Sequence, residues 1–160
     1  MSPRVSRPHM PDYGIFGPDE GEGLLAFEWA EERLVASRRY WLSTVRPDGR
    51  PHAMPVWGVW VDDLLYFDTA ATSRKSRNLE QNAACVVTTE SAREAVIVEG
   101  VARRVGDAAA RAHVHDLYQA KYAQEAPPPG ALYAVVPYRV FAFIEDADRF
   151  QSTATRWTFR

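Results

Sequence analysis

Apolar and polar residues alternate along Tyr40–Arg46, the pattern of a strand with one buried face. Pro47-Asp48-Gly49 then sets Pro and Gly where a tight reversal needs them. His52–Val61 follows, rich in Val and Trp and suited to a pleated, half-buried surface. Pro51 and Pro55 place this strand at an edge or bulge its start, because neither can donate a ladder hydrogen bond. Asp62-Asp63 turns the chain into Leu64–Asp68, completing an expected three-stranded meander. Ala83–Thr89 and Ala95–Val105 predict two more strands around a polar connection at Glu90–Glu94, and Tyr138–Ile144 and Thr155–Phe159 predict the last two.

Three segments have helical character. Gly21–Arg39 carries Leu24, Leu25, Ala30, Leu34 and Val35 on roughly one face. Ser73 is an N-cap for a short helix to Gln81, with Leu79 as its apolar anchor. Asp107 caps Ala108–Tyr122, with Ala112, Leu117 and Ala120 expected toward the core. The run from Ala126 through Pro127, Pro128 and Pro129 to Gly130 predicts a surface loop. Six or seven short strands with added helices predict an α+β fold built on a closed antiparallel barrel. Residues 21–160 read as one domain, and residues 1–20 as a loosely ordered arm.

Composition narrows the function classes. A net charge of −2 gives no reason to expect nucleic acid or an anionic membrane as partner. No apolar run nears the roughly 20 residues of a membrane-spanning helix, and the first residues lack the apolar stretch of a secretory signal. The single cysteine, Cys85, lies in an apolar run and reads as packed rather than reactive. A cytoplasmic location is the expectation.

The densest chemistry lies in Thr69-Ala70-Ala71-Thr72-Ser73-Arg74-Lys75-Ser76-Arg77-Asn78-Leu79. Hydroxyls and cations gather at a helix start, where free N–H groups and the helix dipole favour an anion. The segment reads either as a phosphate site or as a solvated basic helix with an ordinary cap. A second stretch, His52-Ala53-Met54-Pro55-Val56-Trp57-Gly58-Val59-Trp60, has Pro and Gly loosening its strand pairing. Its exposed amides and aromatics suit the rim and face of a flat heterocycle; the alternative is two core tryptophans. The histidines at 9, 52, 113 and 115 make no metal spacing, and no hydrolase or kinase motif occurs.

Taken together, Tyr40-Trp41-Leu42-Ser43-Thr44-Val45, Asp48-Gly49-Arg50-Pro51-His52, Pro55-Val56-Trp57, Tyr66-Phe67-Asp68-Thr69 and Ser73-Arg74-Lys75 resemble the pyridoxamine 5′-phosphate oxidase-like split-barrel superfamily. The likeness is nearer its actinobacterial flavin and deazaflavin oxidoreductase branch than the vitamin oxidase. It continues through Val96-Ile97-Val98-Glu99-Gly100 and Lys121-Tyr122 to Arg156-Trp157. The resemblance implies a six-stranded split barrel forming a homodimer, with cofactor sites at the subunit interface. It matches Ser73, Arg74 and Lys75 to the phosphate turn, and Asp68 and Thr69 to the strand end beside the cofactor's side chain. Met54, Pro55, Val56 and Trp57 match the strand lining the isoalloxazine ring. Trp157 would approach the ring or the dimer contact, and Arg77 and Asn78 would make secondary contacts. Met54 stands where the vitamin oxidase has Arg, and Ala95 where it has Gln.

The expected function is therefore an oxidoreductase using FMN or the deazaflavin coenzyme F-420 on a small organic molecule. Arg38, Arg39, Arg50 and Arg77 are candidate holders of the deazaflavin's anionic tail. Tyr118, Lys121, Tyr122 and Arg156 are candidate neighbours of a substrate, with no residue assigned as acid or base. Two alternatives stand beside this: a flavin carrier or sensor without turnover, and a haem-binding split barrel with His52 as the ligand.

Overall fold

A computed structural model describes residues 3–123 and 130–159. Among these residues, four α-helices decorate one antiparallel sheet of nine strands. In chain order these are β1 (Arg4–Ser6), α1 (Phe27–Ala36), β2 (Tyr40–Val45), β3 (Pro51–Val56), β4 (Val59–Val61), β5 (Leu64–Thr69) and α2 (Arg74–Gln81). Then follow β6 (Ala84–Thr89), β7 (Glu94–Arg104), α3 (Ala108–Tyr122), β8 (Ala131–Ile144), α4 (Phe150–Thr153) and β9 (Thr155–Thr158). The expected six strands become nine because β1, β4 and β9, of three or four residues each, supplement six longer ones.

The sheet runs β1-β9-β8-β7-β6-β2-β3, and β5 joins β8 to β4. β8 organises it: β7 follows one of its edges throughout, while β5 and then β9 take the other. Residues 131–137 of β8, half of its length, carry a strand signal that the sequence reading does not pick up. At Gly100 the β7–β8 register shifts. A Cβ there would fall 2.7 Å from both Val135 Cγ1 and the Val136 carbonyl oxygen, so the bend demands glycine. Leu42, Leu65, Phe67, Val87, Val96, Val98, Val135 and Val140 fill the barrel, and Leu34 of α1 closes one end.

Several expectations are corrected. The predicted strand His52–Val61 is two strands, broken at Trp57-Gly58, and β4 pairs with β5 rather than β3, so no three-stranded meander forms. A Cβ on Gly58 would lie 2.9 Å from the Tyr66 carbonyl and 3.2 Å from the Tyr40 ring. The first helix starts at Phe27, not Gly21, because Gly21 and Gly23 adopt positive φ. On α3 the buried side chains are Val114, Tyr118 and Tyr122, whereas Ala112 and Ala120 are exposed and Leu117 is half-buried. The larger residues, one helical turn apart, reach the sheet where alanine is too short. The segment taken as a loose arm contains β1, paired with β9, and a fully buried Arg7. That guanidinium donates to the carbonyls of Glu20, Glu22 and Ser152. The expected loop at 126–130 lies, save Gly130, outside the described residues.

Candidate functional site

The loop after β5 delivers the chain to Ser73, whose side chain accepts the Ser76 N–H at 3.2 Å and lies 3.2 Å from the Thr69 hydroxyl. Ser73, a hydroxyl N-cap with extended backbone, starts α2 as the sequence predicts. Two buried contacts fix the helix from below. The Ser76 hydroxyl meets the Tyr133 hydroxyl at 2.7 Å, and Asn78 Nδ2 donates to Thr44 Oγ1 at 2.9 Å. Arg74 and Arg77 remain exposed and Lys75 half-buried.

The charges at this helix start are uncompensated. No acidic residue occupies the first turn. Among the described residues, Arg46, Arg74 and Lys75 form no ion pair. Burial alone pulls the Lys75 ammonium below its ordinary value. Cations at a helix N-terminus oppose its dipole, so this donor set of hydroxyls, first-turn amides, Arg and Lys fits a phosphate.

Beside the turn, the sheet opens. Across the β2–β3 ladder, Thr44 faces His52, Leu42 faces Met54 and Tyr40 faces Val56. Thr44 and Leu42 are 2% and 1% exposed, yet Met54 is 44% exposed. The face that is core on β2 is therefore uncovered at Met54 of β3, the edge strand, and half-covered at His52, while Val56 stays buried, which leaves a short slot along its inner side. His52 stands at the end of that slot nearest α2. Desolvation, then the charges of Arg46, Lys75 and Arg74, lower its imidazole below the ordinary value.

At the other end of β3, helix α3 satisfies the backbone groups released by the strand break. Tyr118 donates to the Trp57 carbonyl at 2.8 Å and accepts the Asp68 N–H at 3.1 Å. Tyr122 accepts the Gly58 N–H at 2.9 Å, and Lys121 donates to the Gly58 carbonyl at 2.9 Å and to the Tyr40 hydroxyl at 2.9 Å. Trp57 lies flat on Tyr122, ring centroids 4.6 Å apart. Three of the four candidate substrate neighbours are thus structural clamps. Tyr118 ties together two of the predicted site segments, and burial raises the Asp68 carboxyl there.

The structure brings Asp68, Thr69, Ser73, Arg74 and Lys75 together, with Met54, Pro55, Val56 and Trp57 on the adjoining edge strand. It sets others apart. Asn78 is fully buried and holds α2 to β2 rather than facing solvent. Trp157 is 2% exposed, packed edge-on to Phe27, and its strand β9 is remote from β3 in the sheet. It borders a separate groove of about 340 Å³ with Val5, Leu25 and Phe27. Arg156 donates to the Ser6 hydroxyl near the same edge. Arg38 packs by Tyr122 and Arg50 pairs with Asp48 at 2.8 Å, so these cations do not gather at the phosphate turn. The sequence reading missed Arg46, Thr44 and Tyr133 as parts of this site. The period-two pattern that pairs Thr44 with His52 carried a signal for the second of them.

A profile of the family described as pyridoxamine 5′-phosphate oxidase matches residues 27–145. None of the curated proteins compared with the chain matches it. Solved structures share the split-barrel fold at low identity. A conserved hypothetical protein from Mycobacterium tuberculosis is 20% identical over 79% of this chain and 89% of that one, with TM-score 0.69. An F420 reductase is 22% identical over 69% and 94%, with TM-score 0.57. HutZ, the haem storage protein from Vibrio cholerae, is 18% identical over 71% and 91%, with TM-score 0.62.

Proposed function

The chain belongs to the pyridoxamine 5′-phosphate oxidase family, and from that premise we propose that it is an oxidoreductase binding FMN or the deazaflavin coenzyme F-420. The observation carrying this reading is the uncompensated cationic turn at Ser73, Arg74 and Lys75 beside the uncovered inner face of β3. The turn would take the cofactor's phosphate, and the backbone of Met54, Pro55, Val56 and Trp57 would line its ring. The five residue-to-residue steps from His52 to Trp57 span roughly 17 Å at about 3.3 Å each, a length suited to an extended phosphate–ribityl–ring molecule. A bound flavin or deazaflavin would supply hydride chemistry; the protein's part is to hold and orient it.

A homodimer belongs to this proposal. Met54 is exposed on the inner face of the β2–β3 pair, and Trp41, with Pro55 across from it, on the outer face; a second copy packed over this edge would cover that apolar surface. The substrate would be a small organic molecule, in a cytoplasmic setting; among the described residues no helix is long and apolar enough to cross a membrane. A haem reading is less favoured, because the charges of Arg46, Lys75 and Arg74 act on His52 at its end of the slot. No side chain in the slot is placed as acid or base, which keeps a carrier or sensor as the second reading.

Fluorescence titration of cofactor-free protein with FMN, riboflavin and coenzyme F-420 tests the proposal. Binding of FMN or F-420 together with rejection of riboflavin is expected, since riboflavin lacks the phosphate. Binding of none of the three would overturn it.

A further inference from the structure

His52 is joined through Thr44 to Asn78 of α2, the helix whose first turn carries the candidate phosphate site. Asn78 Nδ2 donates to Thr44 Oγ1 at 2.9 Å, and Thr44 Oγ1 lies 3.5 Å from His52 Nδ1, the outer limit of a hydrogen bond. Thr44 and Asn78 are buried, at 2% and 0% exposure. Since Thr44 accepts from Asn78, its single proton is directed to the remaining partner, the imidazole nitrogen. A neutral ring that accepts at Nδ1 carries its own proton on Nε2. Buried groups therefore select the tautomer that leaves Nε2–H as a donor.

The same chain has a second polarity. Asn78 Oδ1 is buried with no hydrogen-bond partner. When His52 is protonated, Nδ1 becomes a donor to Thr44. The Thr44 hydroxyl can then turn its proton to the Asn78 carbonyl once that amide rotates. Thr44 and Asn78 keep their protons and only reorient, and His52 gains one from solvent. Beside desolvation, the larger effect, the charges that act on the His52 imidazole are those of Arg46 from the β2–β3 turn and of Lys75 and Arg74 from α2. All are positive, so they oppose protonation until an anion lies among them.

Resting on the phosphate-site reading above, we propose that His52 is a further ligand of the anion at the Ser73–Lys75 turn, oriented by Thr44 and Asn78, and that its protonation tightens anion binding. Binding and protonation are reciprocally linked: an anion that raises the imidazole's pKa by one unit binds tenfold more tightly to the protonated protein. The site is thereby tuned by pH between about 5.5 and 8, the range in which an imidazole changes charge. His52 also explains why a strand residue outside the helix start belongs to the site.

Sulfate is the probe, because its charge is constant over this range. It is titrated at pH 5.5 and pH 8 while amide resonances of residues 73–76 and the His52 ring nitrogens are followed by NMR. The expected result is about tenfold tighter binding at pH 5.5, with that dependence lost in His52→Asn. Neutral His52 should be the Nε2–H tautomer, changed in Thr44→Val and restored in Thr44→Ser. Sulfate binding at the turn with the pH dependence intact in His52→Asn would overturn the role of His52 and leave the turn standing. An unchanged tautomer in Thr44→Val would overturn the relay. No sulfate response at residues 73–76 would overturn both, while FMN titration of the same sample judges the cofactor reading on its own.

Discussion

Tyr118 holds Asp68: its hydroxyl accepts the Asp68 N–H at 3.1 Å while donating to the Trp57 carbonyl at 2.8 Å. One buried oxygen on α3 thus fixes the end of β5 against the break between β3 and β4. Tyr118→Phe keeps the ring but strands both backbone groups. An unsatisfied buried polar group costs about 1–3 kcal/mol, so urea unfolding should show a loss in that range, accompanied by weaker FMN binding. Unchanged stability would mean that water replaces the hydroxyl without cost.

On the proposed reading, the cations of the turn act on the ligand and not on the fold. Arg74 is exposed and Lys75 half-buried, and neither makes an ion pair among the described residues. Charge-assisted hydrogen bonds contribute roughly 1.5–3 kcal/mol each. The double variant Arg74→Ala/Lys75→Ala should therefore bind FMN at least a hundredfold more weakly, by the tenfold per 1.4 kcal/mol relation, with its unfolding midpoint little changed. Full affinity in a folded double variant would remove the phosphate assignment.

Lys121 gives the protein an alkaline signature. Burial, with Arg38 beside it and against the pull of Glu90, lowers its ammonium to about 8. In the unfolded chain the group keeps a proton up to its ordinary value, so between these limits the unfolded state binds more protons. Stability then rises with pH. Tyr40 and Tyr118, raised by burial, act oppositely above about pH 10, where the unfolded chain loses its phenolic protons first. The readable window is pH 8 to 10. Wild-type stability should climb there relative to Lys121→Met, and parallel curves would refute the assignment.

Cys85 should be inert while the protein is folded. It sits within β6 at 5% exposure, and burial pushes its thiol up to about 12. Reaction requires the thiolate, so labelling by a disulfide reagent at pH 8 should be roughly a hundredfold or more slower than in denaturant. Equal rates would show that β6 opens readily.

The local signals in the sequence carried far. Ser73 and Asp107 cap their helices where a hydroxyl and a carboxylate precede helical runs, because capping is decided within four residues. Alternation located β2, and the apolar run around Cys85 located β6, each to within a residue of the observed bounds, and of the edge or bulge that the prolines offered for β3 the fold takes the edge. The family pattern named the turn that carries the free cations.

Tertiary structure decided what depends on distant partners. Whether 52–61 forms one strand or two rests on Gly58 lying against Tyr40 and Tyr66, and on α3 arriving to bond the freed amides. The face of α3 that packs is set by tyrosines reaching that break, which no periodicity of small residues reveals. Asn78 and Trp157 look like ligands in one dimension, yet one is bound to Thr44 across 34 positions and the other is sealed by Phe27. The slot itself arises because Leu42 is covered and Met54, directly across the ladder, is not. A strand's sequence specifies which residues share a face; only the remainder of the fold specifies whether anything lies over it.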